Sequence, residues 1–165
     1  MEANQPLELP ADRPALLLGV DGVINVFQCS LARETIVAPH LPALMLLPGL
    51  PEWLAMLDQA YSIVWCSLWG APALHEAARA WGLGPRPLVQ PTPAEAAQPE
   101  WQALAVRRSF AGWPGALAWV DESFGEGARA WAAERLRAGR RTWLVDVRET
   151  GLTAEITDLL LEWVA

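Results

Sequence analysis

The sequence contains no lysine. All 12 of its basic residues are arginine, against 19 acidic residues and a formal charge of −7. An acidic chain without lysine is a poor candidate for sequence-independent nucleic-acid binding, because that binding depends on neutralising phosphates. The absence of lysine also excludes Schiff-base chemistry and a lysine general base. We therefore expect no nucleic-acid partner.

Cysteine and histidine are scarce, with two residues of each. Cys29 and Cys66 are too few for a disulfide framework, and neither lies in a CxxC motif. His40 and His75 lack the spacing of a metal-ligand pair. We expect Cys66 to be an inert filler of a buried strand and His75 to be a surface or partly buried helix residue.

Long apolar runs are absent as well. No segment approaches the roughly 18 apolar residues that a membrane-spanning helix needs. The polar N-terminus, residues 1–14, lacks the basic region and apolar core of a secretory signal. These absences predict a soluble, cytoplasmic protein with no membrane partner. Residues 1–13 are predicted to be a flexible leader.

The remaining chain has the composition of one folded α/β domain, residues 14–165. Apolar residues make up 53% of the sequence, which is enough for a sizeable core. Short apolar runs predict strands at 15–20, 62–66, 88–89, 116–120 and 141–147. Helical patterns begin at Pro51 and after Pro99, and cover 73–81, 127–136 and 153–164. Strands that alternate with helices predict a mainly parallel sheet with helices on both faces.

Two of these helices have apolar stripes at helical spacing. In the helix 127–136 we expect Trp131, Ala132 and Leu136 to point inward. The stripe of the last helix consists of Ile156, Leu159, Leu160, Trp163 and Val164. Residues 85–99 contain five prolines and are predicted to be an irregular loop around the strand at 88–89.

Residues 27–47 contain two strand-like segments, at 35–37 and 43–47. A β-hairpin flap after the first strand is the simplest interpretation. The ten tryptophans are spread along the chain and are expected mainly to fill the core. For Trp65 and Trp69 a second interpretation stays open, in which they flank a site and stack on a planar ligand.

Polar side chains follow three of the predicted strands. Asp21 follows the strand at 15–20, Ser67 follows the strand at 62–66, and Asp121 with Glu122 follows the strand at 116–120. In a parallel sheet these ends meet at one edge, where ligands bind in open α/β folds. Carboxylates and a hydroxyl suit Mg²⁺ or a phosphate. The same residues could instead form a turn, end a strand and cap a helix.

Three segments carry a family resemblance. GVDGVIN (19–25) resembles the first motif of the haloacid dehalogenase-like (HAD) superfamily, VWCSLW (64–69) resembles its second motif, and LAWVDE (117–122) resembles its fourth. The ending resembles small, nearly capless bacterial members. The resemblance covers about residues 14–165 and implies a three-layer Rossmann-like fold with a small flap at 27–47.

The resemblance also implies roles for single residues. Asp21 matches the general acid/base, whose backbone carbonyl helps to hold Mg²⁺. Ser67 matches the hydroxyl that binds the phosphoryl group, and Gly22 adjoins the same phosphate position. Asp121 and Glu122 match the metal-binding acids. Mg²⁺ is therefore the cofactor that the resemblance implies.

The chain departs from the family at two positions. Gly19 stands where the family has its nucleophilic aspartate, and glycine has no side chain to attack phosphorus or bind metal. Glu100 stands near the place of the third-motif lysine, which neutralises charge. Arg107 or Arg108, one or two turns further on, would need a shifted geometry to take over that role.

Two functions follow as hypotheses. In the first, the protein is a catalytically impaired HAD-like protein that binds a phosphorylated ligand or a protein partner. In the second, it is an active Mg²⁺-dependent phosphatase in which Asp21 activates water without a covalent intermediate. The missing nucleophile favours the first, because losing a nucleophile costs many powers of ten in rate.

Overall fold

The computed structural model describes residues 7–10, 12–27, 34–36 and 44–165. Its strands are β1 (Ala15–Gly19), β2 (Glu34–Ile36), β3 (Leu44–Leu46), β4 (Ser62–Cys66), β5 (Leu88–Val89), β6 (Leu117–Asp121) and β7 (Thr142–Asp146). Its helices are α1 (Leu50–Ala60), α2 (Ala71–Ala80), α3 (Pro93–Ala96), α4 (Trp101–Ser109), α5 (Glu126–Arg137) and α6 (Ala154–Val164).

Five of the strands form one parallel sheet in the order β5-β4-β1-β6-β7. The chain runs outward from β1 through β4 to β5, then returns to the other side of β1 to form β6 and β7. The direction therefore reverses beside β1, and a crevice opens at the carboxyl end of the sheet at such a point. The expected α/β class with a mainly parallel sheet is confirmed.

Strand β1 is buried on both faces, which explains its uninterrupted apolar sequence. Alternate side chains of a strand point to opposite faces of the sheet. Leu16 and Leu18 pack in the core that contains residues of α1, α2 and α6. Leu17 packs in the core that contains residues of α4 and α5. The molecule thus has three layers, with the sheet in the middle.

The loop after β1 is tied to the small antiparallel pair of β2 and β3. The backbone N–H of Met45 donates to Asn25 Oδ1 over 2.9 Å, and the N–H of Val26 donates to the carbonyl of Met45 over 2.7 Å. This pair lies within the region predicted as a flap. The rest of that region, 28–33 and 37–43, lies outside the described residues, as do Cys29 and His40.

Two predicted inward positions are wrong. Leu136 is 54% exposed, because Arg135 takes the inward position one turn after Trp131. Leu159 is 48% exposed, because the buried face of α6 is centred on Thr157 and Leu160. Burying Thr157 is tolerable since its hydroxyl donates to the carbonyl of Thr153 over 2.9 Å.

The proline-rich loop contains a short helix that the sequence pattern did not reveal. Thr92 begins α3 through a capping box, in which its hydroxyl accepts from the N–H of Glu95 and the Glu95 carboxylate accepts from the N–H of Thr92. Pro93 at the start of α3 has no backbone N–H, and the first turn of a helix does not need one. The strand predicted at 88–89 is present as β5.

The segment predicted as a leader contacts the domain. Leu7 and Leu9 are partly buried and pack against the core on the α4 and α5 side. The carbonyl of Pro10 accepts from the N–H of Arg13. Within the described ranges, no helix has the length and apolar character needed to cross a membrane.

Candidate functional site

A cleft of about 190 Å³ opens at the carboxyl end of the sheet, beside the point where the strand order reverses. Its lining brings together side chains from the ends of β1, β4 and β6 and from the start of α4. The residues that matter for its chemistry are Gly19, Asp21, Ser67, Trp101, Asp121 and Glu122. The sequence-predicted strand ends therefore do meet in space.

Asp21 is exposed, and both of its carboxylate oxygens are held by neighbouring donors. Asn25 Nδ2 donates to Asp21 Oδ1 over 3.1 Å, and the indole N–H of Trp69 donates to Asp21 Oδ2 over 3.0 Å. Asn25 is in turn fixed through its contact with Met45. The acid is thus oriented at the rim of the cleft by two side chains.

Asp121 is the buried acid of the cleft, with only 3% of its surface exposed. Its Oδ2 accepts from the indole N–H of Trp119 over 3.1 Å, and its Oδ1 accepts from the N–H of Glu122 over 2.9 Å. Burial raises the pKa of Asp121 to about 7, and the nearby Glu122 and Asp146 carboxylates act in the same direction. The two hydrogen bonds only partly offset this rise.

Asp121 also lies close to the space in which a side chain at position 19 would begin. A methyl group added to Gly19 would lie 3.0 Å from Asp121 Oδ1 and 3.0 Å from Val23 Cγ2. Both distances are tighter than ordinary van der Waals contact. The absence of a side chain at Gly19 is therefore matched by the packing around it.

Ser67 lies at the end of β4 and is 5% exposed. Its Oγ accepts from the N–H of Trp69 over 3.0 Å, which closes a turn after the strand. No described residue accepts the hydroxyl hydrogen of Ser67. The neighbouring Cys66 is buried, and burial followed by the charge of Asp121 raises the pKa of its thiol well above the usual value.

Gly22 and Glu122 are in close contact beside the cleft. Gly22 has a φ of +79°, a left-handed conformation that favours glycine. The Glu122 carboxylate lies where a Cβ of residue 22 would be. The Glu122 carboxylate is exposed, and no described residue donates a hydrogen bond to it. The absence of a side chain at Gly22 thus leaves room for the Glu122 carboxylate.

Glu100 has a structural role. Its Oε2 accepts from the N–H of Gly127 over 2.9 Å, so the carboxylate caps the positive N-terminal end of α5. Gly125 and Gly127 lie so close to Glu100 that neither could carry a side chain without displacing it. Trp101 and Gln102, the next residues of α4, line the cleft.

The two arginines considered as replacements for the third-motif cation are engaged elsewhere. Arg108 binds Glu95 with two hydrogen bonds of 2.9 and 2.8 Å, and it lowers the pKa of that carboxyl to about 2. Arg107 pairs with Glu134 at 3.5 Å. Neither arginine lines the cleft.

The structure corrects one expectation about the aromatic residues and adds others. Trp65 does not flank the cleft: it is fully buried and packs edge-to-face on Trp81 at 5.5 Å between ring centroids. Trp69 does lie at the rim. Sequence reasoning missed the cleft role of Trp101 and the bond from Trp119 to Asp121. The alternating strand pattern around Trp119 places it on the same face as residue 121, and this was the available signal.

The cleft residues do not fit a ready-made Mg²⁺ site. Among the described residues, no three histidine, cysteine, aspartate or glutamate side chains are arranged to share a metal ion. Asp121 directs its oxygens at Trp119 and at the N–H of Glu122. Asp21 is bound by Asn25 and Trp69.

Comparison with known proteins gives no relative for this chain: no family model, no curated protein and no solved structure matches it. A function has to be argued from the cleft itself. Three acidic residues, a buried hydroxyl and a partly exposed indole line this cleft, and the described lining includes no lysine, arginine or histidine.

Proposed function

We propose that this chain is a HAD-like protein that lacks phosphatase chemistry and acts by binding a ligand or partner at the cleft. The observation that carries the proposal is that position 19 is a glycine with close neighbours. Gly19 offers no nucleophile, and a side chain that began there would be crowded by Asp121 and Val23, each 3.0 Å from the position of its Cβ. The strand order and the small β2–β3 pair also suit a HAD-like fold with a flap.

Asp21 is poorly placed to replace the missing nucleophile. Each of its two oxygens accepts a hydrogen bond, one from Asn25 and one from Trp69, which orients the carboxylate and makes both oxygens weaker nucleophiles. A carboxylate that is held in this way is better suited to accept hydrogen bonds from a bound group. This supports binding over covalent catalysis.

The charge of the cleft bears on what is bound. The proposal names two classes of occupant, a phosphorylated ligand and a protein partner. However, a phosphate placed among Asp21, Asp121 and Glu122 would meet like charges, and the described lining offers no basic side chain to offset them. The charge therefore favours a partner over a bare phosphate group.

A phosphatase assay tests this proposal. Purified protein is incubated with p-nitrophenyl phosphate and Mg²⁺, beside the variants Asp21→Asn and Asp158→Asn. Asp158 is an exposed acid of α6 and controls for the change in charge. We expect no turnover above the buffer blank for any of the three proteins.

The competing function is the Mg²⁺-dependent phosphatase that uses Asp21 to activate water. It predicts turnover by the wild type and by Asp158→Asn, and loss of turnover in Asp21→Asn. That pattern would overturn the proposal.

A further inference from the structure

The two outer strands of the sheet, β5 and β7, differ in how their outer edges are protected. Strand β5 has only two residues, and prolines at 85, 87 and 91 stand close to it on both sides. Strand β7 has five residues, and neither proline nor lysine occurs in it. Short length, proline and lysine are common means by which a sheet edge is kept from pairing with another strand. The edge of β7 has none of these three protections.

The outer edge of β7 carries backbone groups that can pair with a further strand. The carbonyl of Arg141 accepts from the N–H of Leu117 in β6, so Arg141 and every second residue after it face β6. The N–H and C=O groups of Thr142 and Leu144 therefore point away from β6. Within the described part of the chain, no residue is hydrogen-bonded to these outward groups.

Two apolar side chains of β7 are only partly buried at this edge. Trp143 and Leu144 are half-buried, whereas β1 and β6 are buried along their whole length. Trp143 packs on the α6 side of the sheet, 5.9 Å from Trp163 between ring centres, and Leu144 packs on the α4 and α5 side. A strand added along β7 would place neighbours beside both side chains.

The charges at the two ends of β7 are complementary to each other. Arg140 directly precedes the strand and has no acidic partner among the described residues. Asp146 is exposed at the other end, where Arg148 lies 3.6 Å away. Antiparallel pairing of β7 with itself would bring the first end of each strand beside the last end of the other. This charge complementarity favours a second copy of the chain as the occupant of the edge.

The charges also distinguish between registers of such a pair. Residues that face outward must lie opposite each other in hydrogen-bonded pairs. With Leu144 opposite Thr142 of the second copy, Arg140 lies opposite Asp146, and the two-fold symmetry makes this charge pair occur twice. With Leu144 opposite Leu144, Arg140 would lie opposite Arg148, and like charges in that position are destabilising. The first register is therefore the favoured one.

We propose that β7 pairs in antiparallel orientation with β7 of a second copy, so that the two sheets join into one continuous sheet. Both copies use the same edge, so the contact closes as a two-fold symmetric dimer and leaves no further β7 edge exposed. The inference does not depend on the proposed function, because the cleft lies at the ends of β1, β4 and β6.

Sedimentation velocity of the full chain tests the oligomeric state. Over concentrations of about 1 to 100 μM we expect a reversible equilibrium between monomer and dimer. A monomer at every concentration, or a series of species larger than the dimer, would overturn the proposal.

Charge reversal tests the register in the same measurement. Arg140→Asp alone, or Asp146→Arg alone, places like charges opposite each other twice and should weaken dimerisation about tenfold. The two changes together exchange the charges and should restore the wild-type affinity. Arg79→Asp, an exposed change on α2 at the other side of the sheet, is the control and should leave dimerisation unchanged. A double variant as weak as the single ones, or a control as weak as Arg140→Asp, would overturn the proposal.

The backbone contact is tested by one leucine-to-proline change at each edge of the sheet. Leu144→Pro removes an N–H that points outward from β7, and Leu88→Pro removes one that points outward from β5. Proline is tolerated on an edge strand where the missing N–H would face solvent. We expect Leu144→Pro to be monomeric at concentrations where the wild type and Leu88→Pro are dimers. Dimers in both variants, or equal loss in both with folding verified by circular dichroism, would overturn the proposal.

Amide hydrogen exchange of the wild type gives a readout that needs no variant. Exchange at Thr142 and Leu144 should slow as the protein concentration rises, because their N–H groups become hydrogen-bonded in the dimer. Exchange at Leu88, on the other edge, should not depend on concentration. Exchange at Leu144 that is independent of concentration while the protein dimerises would place the contact elsewhere and overturn the proposal.

Discussion

Two buried ionisable residues lie on the same side of the sheet and differ in how completely they are hydrogen-bonded. Arg135 and Asp121 are each only 3% exposed. Arg135 donates to the carbonyls of Trp113 and Gly115 and to the hydroxyl of Thr142, over 3.0, 2.7 and 2.9 Å. Every nitrogen of its guanidinium therefore has a protein partner. Burial lowers its pKa only to about 10, so it stays charged.

Asp121 has fewer partners than its chemistry allows. It accepts from Trp119 and from the N–H of Glu122, although an ionised carboxylate can accept about four hydrogen bonds. It lines the cleft, whereas Arg135 is enclosed by the domain. The comparison teaches that burial of an ionisable group does not by itself distinguish these two residues; the incomplete pairing of Asp121 beside a cavity does.

An aromatic layer connects these two regions. The guanidinium of Arg135 lies 5.2 Å from the ring centre of Trp131, and Trp131 contacts Trp119 edge-to-face at 6.3 Å. Trp119 then donates to Asp121. Arg135 and Trp131 thus pack behind the side chain that holds the acid in the cleft.

Removal of the enclosed charge is expected to have the largest effect on stability. Arg135→Met leaves two buried carbonyls and one hydroxyl without their donor, and should lower the free energy of unfolding by about 3–5 kcal/mol. Arg137→Met, on the exposed side of the same helix, should change it by less than about 0.5 kcal/mol. Urea denaturation compares the two variants. Equal effects would show that Arg135 has no structural role beyond that of a surface arginine.

The acid in the cleft should give a distinct dependence of stability on pH. Because its pKa is about 7 in the folded state and 3.8 ordinarily, the folded protein holds this proton more tightly than the unfolded chain. This tighter proton binding stabilises the folded state in full below about pH 4, and the stabilisation is lost as the pH rises to 7. Over that range the free energy of unfolding falls by up to about 1.4 kcal/mol per pH unit.

Asp121→Asn should abolish this part of the slope, whereas Asp158→Asn should retain it. Urea unfolding in EDTA at several values between pH 5 and pH 7 makes the comparison. If Asp121→Asn and the wild type had parallel profiles, Asp121 would not be a poorly compensated buried acid.

The packing at Gly19 is the next comparison to test. Gly19→Ala pushes a methyl group against Asp121 and Val23, and overpacking of this kind should cost about 1–3 kcal/mol in the free energy of unfolding. At Gly84 the nearest atom to an added methyl group is Arg86 Nη1, 3.6 Å away, so Gly84→Ala is the matched control and should be close to neutral. Thermal unfolding that ranks the two variants in the opposite order would contradict the packing described for position 19.

The smallest effect is expected at the cap of α5. Glu100→Gln keeps an acceptor for Gly127 but removes the negative charge from the helix N-terminus, and should destabilise the protein by about 0.5–1 kcal/mol at low salt. The loss should diminish as salt screens the charge. Glu162→Gln, an exposed change on α6, is the control. A loss that is independent of salt would show that the carboxylate does not act through its charge.

The sequence was sufficient to predict the parallel sheet and the meeting of its strand ends. Asp21, Ser67 and Asp121 each follow a short apolar run, and parallel strands bring such ends to one edge. The inward positions of α5 and α6 were less predictable, since Arg135 and Thr157 replaced the apolar residues that periodicity selects. Polar groups are buried there because tertiary partners satisfy them, and periodicity does not encode those partners.

The contacts that Glu100 and Asp121 make could not be predicted from the sequence either. Glu100 could be recognised as a departure from the family pattern, but its contact with Gly127 joins residues 27 positions apart. The approach of Asp121 to Gly19 joins two different strands of the sheet. Motif positions can be read locally, whereas the hydrogen bonds that decide their use depend on the packed structure.

The measurement that tests the central claim most directly is phosphomonoester turnover by Gly19→Asp beside the wild type, with Mg²⁺ present and folding of both proteins verified by circular dichroism. We predict no turnover by either protein, because the wild type lacks the nucleophile, Asp121 and Val23 crowd a side chain placed at position 19, and the described lining of the cleft carries no cation. Turnover by the wild type, or its appearance in a folded Gly19→Asp variant, would contradict the account.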